Sequence, residues 1–200
     1  MKIVNNGFIG NKKFLPENKE LPEDAVGFKA PEMRFDVTVP TFVFIVLSTF
    51  LVWIIFSFAS YLRGDVEVNL MNFGALMGLI IGIMSVPIQG MIRGRYHGEN
   101  AVINVYFTLR FIYTICYEPI PKDTFIRMGL FPSIMIGWIP LIISAILPMP
   151  ALFVNFLFTW GFVSIIFSSV YYTSVYCALK QMPNGSMATM SRDEYYWFMP

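Results

Sequence analysis

From Met128 to Leu179 the chain runs for 52 residues without an acid, a base or a histidine. At about 20 apolar residues per crossing, such a run is long enough to traverse a bilayer twice, and it excludes an ordinary soluble domain. Histidine occurs once, as His97, and cysteine twice, as Cys116 and Cys177. A single histidine excludes any metal site built on a histidine pair. The two thiols have no Cys-x-x-Cys spacing and read as small apolar fillers, with no disulfide and no metal between them. No Asp or Glu falls inside an apolar run, so an intramembrane aspartyl mechanism, which pairs two carboxylates, has no candidates. The net charge of +1 leaves no clustered basic surface of the kind that neutralises phosphates, which argues against a nucleic-acid partner.

What the sequence does contain is apolar length. Two further uncharged runs, Val37 to Leu62 and Val68 to Ile92, each suffice for one span. The long run is divided by Leu147-Pro148-Met149-Pro150, whose prolines remove backbone donors and read as a tight turn between antiparallel helices. The expected fold is mainly α and integral to the membrane, with about four transmembrane helices near 40–62, 69–92, 129–147 and 151–178. Lys and Arg near span ends stay on the cytoplasmic side. With four spans, Lys2, Lys12, Lys13, Lys19, Lys29 and Arg34, then Arg93, Arg95, Arg110, Lys122 and Arg127, then Lys180 and Arg192 share one face, and only Arg63 falls on the other. That partition places the chain in the cytoplasmic membrane as a multi-pass protein with both termini cytoplasmic.

The domain organisation that follows is a cytoplasmic N-terminal arm at 1–36, a four-helix membrane domain at 37–180 and a cytoplasmic tail at 181–200. Mixed charge with scattered Pro and Gly makes the arm read as mostly irregular, with an interfacial portion near Phe28 to Phe35. Between the second and third spans, a stretch at about 101–118 is rich in Val, Ile, Tyr, Phe and Thr, which suits short strands better than an exposed helix. Arg110 sits too centrally for a fifth span; a re-entrant or interfacial helix is the alternative. Beyond it, Glu118-Pro119-Ile120-Pro121-Lys122-Asp123-Thr124 supplies proline stops and then an Asp or Thr cap for the third helix.

Two spans, a β-rich insertion ending in Tyr117-Glu118-Pro119, a proline-bearing span, a last span, and a tail closing in Asp193-Glu194-Tyr195-Tyr196 together resemble a bacterial membrane family described as putative zincin peptidases of otherwise unknown function. The resemblance covers roughly residues 70 to 200. It is most specific at Cys116 to Lys122 leading to Gly129-Leu130-Phe131-Pro132, and from Met182-Pro183-Asn184-Gly185 to Pro200. It implies H-E-x-x-H on the second span, where two histidines one turn apart bind zinc and the Glu activates water. The matching residues here are Ser85-Val86-Pro87-Ile88-Gln89. The family's Gly-Asp pair early in the last span, a third ligand, corresponds to Tyr171-Tyr172. The resemblance is thus to a degenerate member, since His97 alone cannot supply the motif wherever it is aligned.

No substitute chemistry presents itself. His97 and Glu99 are two residues apart with Gly98 between them, which gives neither a shared helical face nor enough ligands. Ser85 has only Gln89 one turn away, and Gln cannot accept a proton. Ser133, Ser144, Ser164, Ser168 and Ser169 read as residues that allow close helix packing or bond to the preceding turn. Buried amides need partners, so Gln89 is expected to bond across the bundle to a hydroxyl such as that of Tyr171 or Tyr172. Pro87 is expected to kink the second span, and Gly74, Gly78 and Gly82 form a small-residue row for a partner helix of this chain or another.

These readings converge on a non-catalytic relative of a membrane zincin. It would carry no cofactor, zinc included, and its catalytic and metal positions would be degenerate at Ser85, Val86, Gln89, Tyr171 and Tyr172, which would form a polar pocket. It would sit in membrane lipid and bind another membrane protein or a peptide. A small transporter or channel subunit is the alternative, with Pro87 and the glycine row as a hinge; solute flux in liposomes would distinguish it. An active metallopeptidase with non-standard ligands is the remaining option.

Overall fold

The structure is a computed structural model, and it describes residues 2–9, 15–18, 20–29, 39–64, 71–98, 101–107, 112–192 and 194–200. The chain divides into two units: Met1–Ala30, Gly90–Gly129 and Ser174–Pro200 form a mixed unit of sheets and helix ends, and Pro31–Gln89 with Leu130–Thr173 form a helical unit.

Four helices, Val39–Leu62, Phe73–His97, Lys122–Ile146 and Ala151–Gln181, are long and apolar enough to cross a membrane, so the chain is a multi-pass membrane protein. In the helical unit, α1 (Val39–Arg63) buries only a narrow stripe of Thr41, Ser48, Val52, Phe56 and Ala59, at spacings of three, four and seven. Phe50, Trp53 and Phe58 point outward from the same helix. A face this apolar is costly in water and suits hydrocarbon. The stripe packs into a core with Leu141, Ala145, Val154 and Ile165.

The helix α2 (Phe73–Gly94) continues through Pro87, and its glycine row faces α5 (Ala151–Gln181) of the same chain. A Cβ on Gly82 would lie 2.9 Å from Val163, and one on Gly74 or Gly78 would run into the carbonyl oxygen of Leu152 or Phe156. Only glycine lets the two backbones come this close. The Leu147 to Pro150 segment separates the last two spans as expected, with helix ending at Ile146 and resuming at Ala151.

The third span begins earlier than its hydropathy indicates. Helix α3 (Lys122–Ser133) opens on a polar turn whose Asp123 suits a helix N-terminus. It passes through a π-helical turn, Ile134–Trp138, into α4 (Ile139–Ile146). Apolar patterning alone starts only near Met128, which is why 129–147 misses the first turns.

The mixed unit holds two small sheets. In one, β1 (Lys2–Phe8) runs parallel to β3 (Val102–Phe107), with Lys2 opposite Val102, and β3 is antiparallel to β4 (Ile112–Ile115). In the other, β2 (Val26–Gly27), β7 (Glu194–Phe198), β6 (Met187–Ser191) and β5 (Ile120–Pro121) lie side by side in that order. Among the described residues of the 101–118 insertion, 102–107 and 112–115 are strand and none is helix, as its β-branched and aromatic content indicates. The arm departs from an irregular reading: it supplies β1 and β2. Phe28 packs edge-on to Phe125 at 5.7 Å, and its amide donates to the Tyr195 carbonyl at 3.0 Å. Lys29 exchanges backbone hydrogen bonds with the Gln181 side chain, and residues 30–35 of that expected interfacial portion lie outside the described residues.

Candidate functional site

On a helix, side chains four apart lie one above the other. Ser85 and Gln89 of α2 therefore share a face, as do Ser164, Ser168 and Tyr172 of α5. The two rows meet inside the helical unit. The Ser85 hydroxyl lies 2.9 Å from that of Ser164 and 2.6 Å from the Gly82 carbonyl that accepts from it. The Ser168 hydroxyl donates to Gln89 Oε1 at 2.9 Å, and Gln89 Nε2 reaches Ser85 Oγ at 3.5 Å. Ser85 and Gln89 are each 2% exposed, and Ser164 and Ser168 are fully buried. Val86, about 100° further round the helix, is half-buried.

The tyrosine hydroxyl on the next turn of α5 serves another helix. Tyr172 pairs with Ser133 Oγ and accepts from Trp138 Nε1 at 3.1 Å, while its ring meets Phe44 edge-on at 5.8 Å. Beside it, Thr173 Oγ1 lies 2.7 Å from Thr41 Oγ1 of α1. The hydroxyl that bonds Gln89 across the bundle here is that of Ser168, one turn before Tyr172. Tyr171 is half-buried. Sequence reading assigned Ser133, Ser164 and Ser168 to packing and back-bonding. Ser168 does donate to the Ser164 carbonyl at 2.8 Å, but all three also bridge helices. The signal that would have revealed this was the four-residue spacing of Ser164, Ser168 and Tyr172 opposite that of Ser85 and Gln89.

Chemically, this seam consists of hydroxyls and one amide already bonded to each other. It contains no base to activate a serine and no carboxylate, imidazole or thiolate of the kind that binds zinc. Among the described residues, no group of three or more His, Cys, Asp and Glu could hold a metal ion. His97 and Cys116 belong to the mixed unit. His97 Nδ1 lies 2.9 Å from the Glu118 carbonyl, which fixes the proton on that nitrogen. Burial pushes the Cys116 thiol up to about 11, the opposite of the activation a reactive thiolate requires.

Four apolar helices long enough to span a membrane, with a buried polar seam between the second and the last, define the class: a multi-pass membrane protein. Residues 90–187 match the model of the family described as "Putative zincin peptidase". No curated protein and no solved structure shows significant similarity. The matched segment begins one residue after Gln89, so Ser85 to Gln89 lie just outside it, whereas Tyr171 and Tyr172 lie inside. The family's name implies zinc. The donor set at Ser85, Val86, Gln89, Tyr171 and Tyr172 does not fit that ion.

Proposed function

We propose that this chain is a non-catalytic member of the zincin-like family, a protein of the cytoplasmic membrane that acts by binding another membrane protein or a peptide. The observation that carries this reading is the seam itself. The positions that the family resemblance assigns to ligands and base hold Ser85, Val86 and Gln89, and the two polar ones are buried and bonded to Ser164 and Ser168. A hydrolytic zinc site needs an open coordination position and water, and this seam is closed by its own hydrogen bonds. Both termini face the cytoplasm in this reading, supported by the thirteen of fourteen basic residues that share one face of a four-span topology.

The test is elemental mass spectrometry on protein purified in mild detergent without chelator. The triple variant Ser85→His/Val86→Glu/Gln89→His serves as the comparison. The expected result is no stoichiometric zinc in the native chain, together with a partner recovered by photo-crosslinking in the membrane. Zinc near one equivalent, or peptide hydrolysis abolished by chelator, would overturn the non-catalytic reading.

A further inference from the structure

The third span carries a break in its α-helical hydrogen bonding. In the π-helical turn Ile134–Trp138, the Ile139 amide donates to the Ile134 carbonyl, five residues back rather than four. Such a turn inserts one extra residue into an α-helix and rotates everything beyond it. The rotation decides which residues of α4 face the core. At about 100° per residue, Ser133 and Leu141 would stand about 80° apart on an unbroken α-helix, and the extra residue brings them to within about 20°. Both are fully buried in the structure, as the wide turn requires. Further along, Ser144 and Ala145 face inward, while Ile142, Ile143 and Ile146 face out.

Two features act on this turn. Pro140 has no amide hydrogen, and its ring would press on the Ile136 carbonyl in a straight helix, so it makes the regular alternative costly. Tyr172 acts differently. Its single hydroxyl binds Ser133, the residue just before the turn, and Trp138, the last residue within it. A group that holds both ends of an inserted turn selects where the insertion sits.

The geometry points to a conformational latch: the third span has two registers, and the Tyr172 hydroxyl, through Ser133 and Trp138, selects the π-containing one. In the other register the turn is regular, residues 139–146 rotate by about 100°, Ile143 swings into the core and Ala145 swings out. The two registers present different faces of the span to the rest of the bundle, which is what a switchable element requires. Tyr172 is a positioning residue in this scheme, independent of whether the protein cuts peptides.

A nitroxide at position 143 reads the register. Ile143→Cys is labelled in protein whose Cys116 and Cys177 are replaced by Ala, and its oxygen accessibility is measured in liposomes by power-saturation electron paramagnetic resonance. Pro140→Ala is present in both arms, so that the helix is free to straighten, and Tyr172 is compared with Tyr172→Phe. With Tyr172 retained, the label should stay as accessible as Ile143 is now, at 36% exposure. With Phe at 172, rotation of residues 139–146 should lower accessibility at least about twofold, and a label at 145 should gain. Unchanged accessibility in the Phe variant would overturn the latch. So would its loss with Pro140→Ala alone, because the proline would then hold the register. Trp138→Phe in the same background removes one of the two bonds and keeps the ring, so it gives the same reading if the tyrosine variant does not fold.

Discussion

One helix shows how differently the two units are built. In the helical unit, Gly74 and Gly78 of α2 sit against the carbonyl oxygens of Leu152 and Phe156, so backbone meets backbone. In the mixed unit, Gly90 and Gly94 of the same helix sit against side chains: a Cβ on Gly90 would meet Thr114 Oγ1 at 2.7 Å, and one on Gly94 the tip of Ile103. A side-chain tip can change rotamer, whereas a carbonyl within a helix cannot move without its helix. The lesson is that a glycine facing a helix backbone, as at Gly74 and Gly78, marks a contact of high cost, while one facing a side-chain end marks a contact with slack.

The largest expected effect tests that difference directly. Gly78→Ala should cost about 2–3 kcal/mol, because overpacking against an immovable backbone forces the helices apart. Gly94→Ala should stay within about 1 kcal/mol, since a rotamer adjustment of Ile103 is partly offset by the better helix propensity of alanine. Gly94 has ordinary helical angles, φ −56° and ψ −29°, which alanine adopts freely. Thermal unfolding in detergent measures both, and equal losses would break the comparison.

Next in size are the polar contacts. Gln89→Leu should lower stability by about 1–2 kcal/mol, because it removes the amide that accepts from Ser168 across the two helices, although interhelical hydrogen bonds in membranes average only about 0.6 kcal/mol. Thr189→Val is its counterpart in the mixed unit, where the Thr189 hydroxyl donates to the Tyr117 carbonyl at 2.6 Å and accepts from Asn18 at 3.2 Å. Loss in both variants would show that a buried hydroxyl bond stabilises each unit. An unchanged melting point for Gln89→Leu would remove the seam as a stabilising feature.

The smallest effect separates the units by pH. Burial raises the Cys116 thiol from 9.0 to about 11, and it also raises Tyr117, to about 12, with the neighbouring Tyr106 adding to the shift. A raised folded-state value favours the protonated form. The stability it contributes is therefore complete below the unfolded pKa, near 9 for the thiol, and is lost as pH rises towards 11. The mixed unit should loosen between pH 9 and 11. Alkylation of Cys116 in the native protein at pH 8 should be roughly a hundredfold slower than in denaturant, because thiolate falls tenfold per unit of pKa. Equal rates would mean that the thiol is not enclosed.

Much of this architecture can be read along the chain because it is local. Apolar length gives the spans, Pro148 and Pro150 give the turn between the last two, and Val102 to Phe107 has the composition of a strand. What escaped is what depends on distant residues. Lys2 to Phe8 contains two asparagines and a glycine, and becomes a strand only because β3 offers it an edge. β2 and β5 are two residues each and exist only beside β7 and β6. The π-helical turn leaves no compositional mark. Its trace is the near four-residue spacing of buried positions from Pro132 and Ser133 to Ser144 and Ala145, which a 3.6-residue helix cannot sustain. In the seam, Ser85 and Gln89 were visible as polar residues at membrane depth, but their partners were not, because serine has so many other uses in a bundle.

The parallel pairing of β1 with β3 also sets a clock on synthesis. Lys2 cannot meet Val102 until about a hundred further residues, two spans among them, have left the ribosome, roughly 5–20 s at ordinary elongation rates. Throughout that interval the strand has an unsatisfied edge and an exposed Phe8 at its end. The newborn arm is therefore most in need of a chaperone while the first two helices are being inserted, and slowing translation before codon 102 should lower the yield of folded protein.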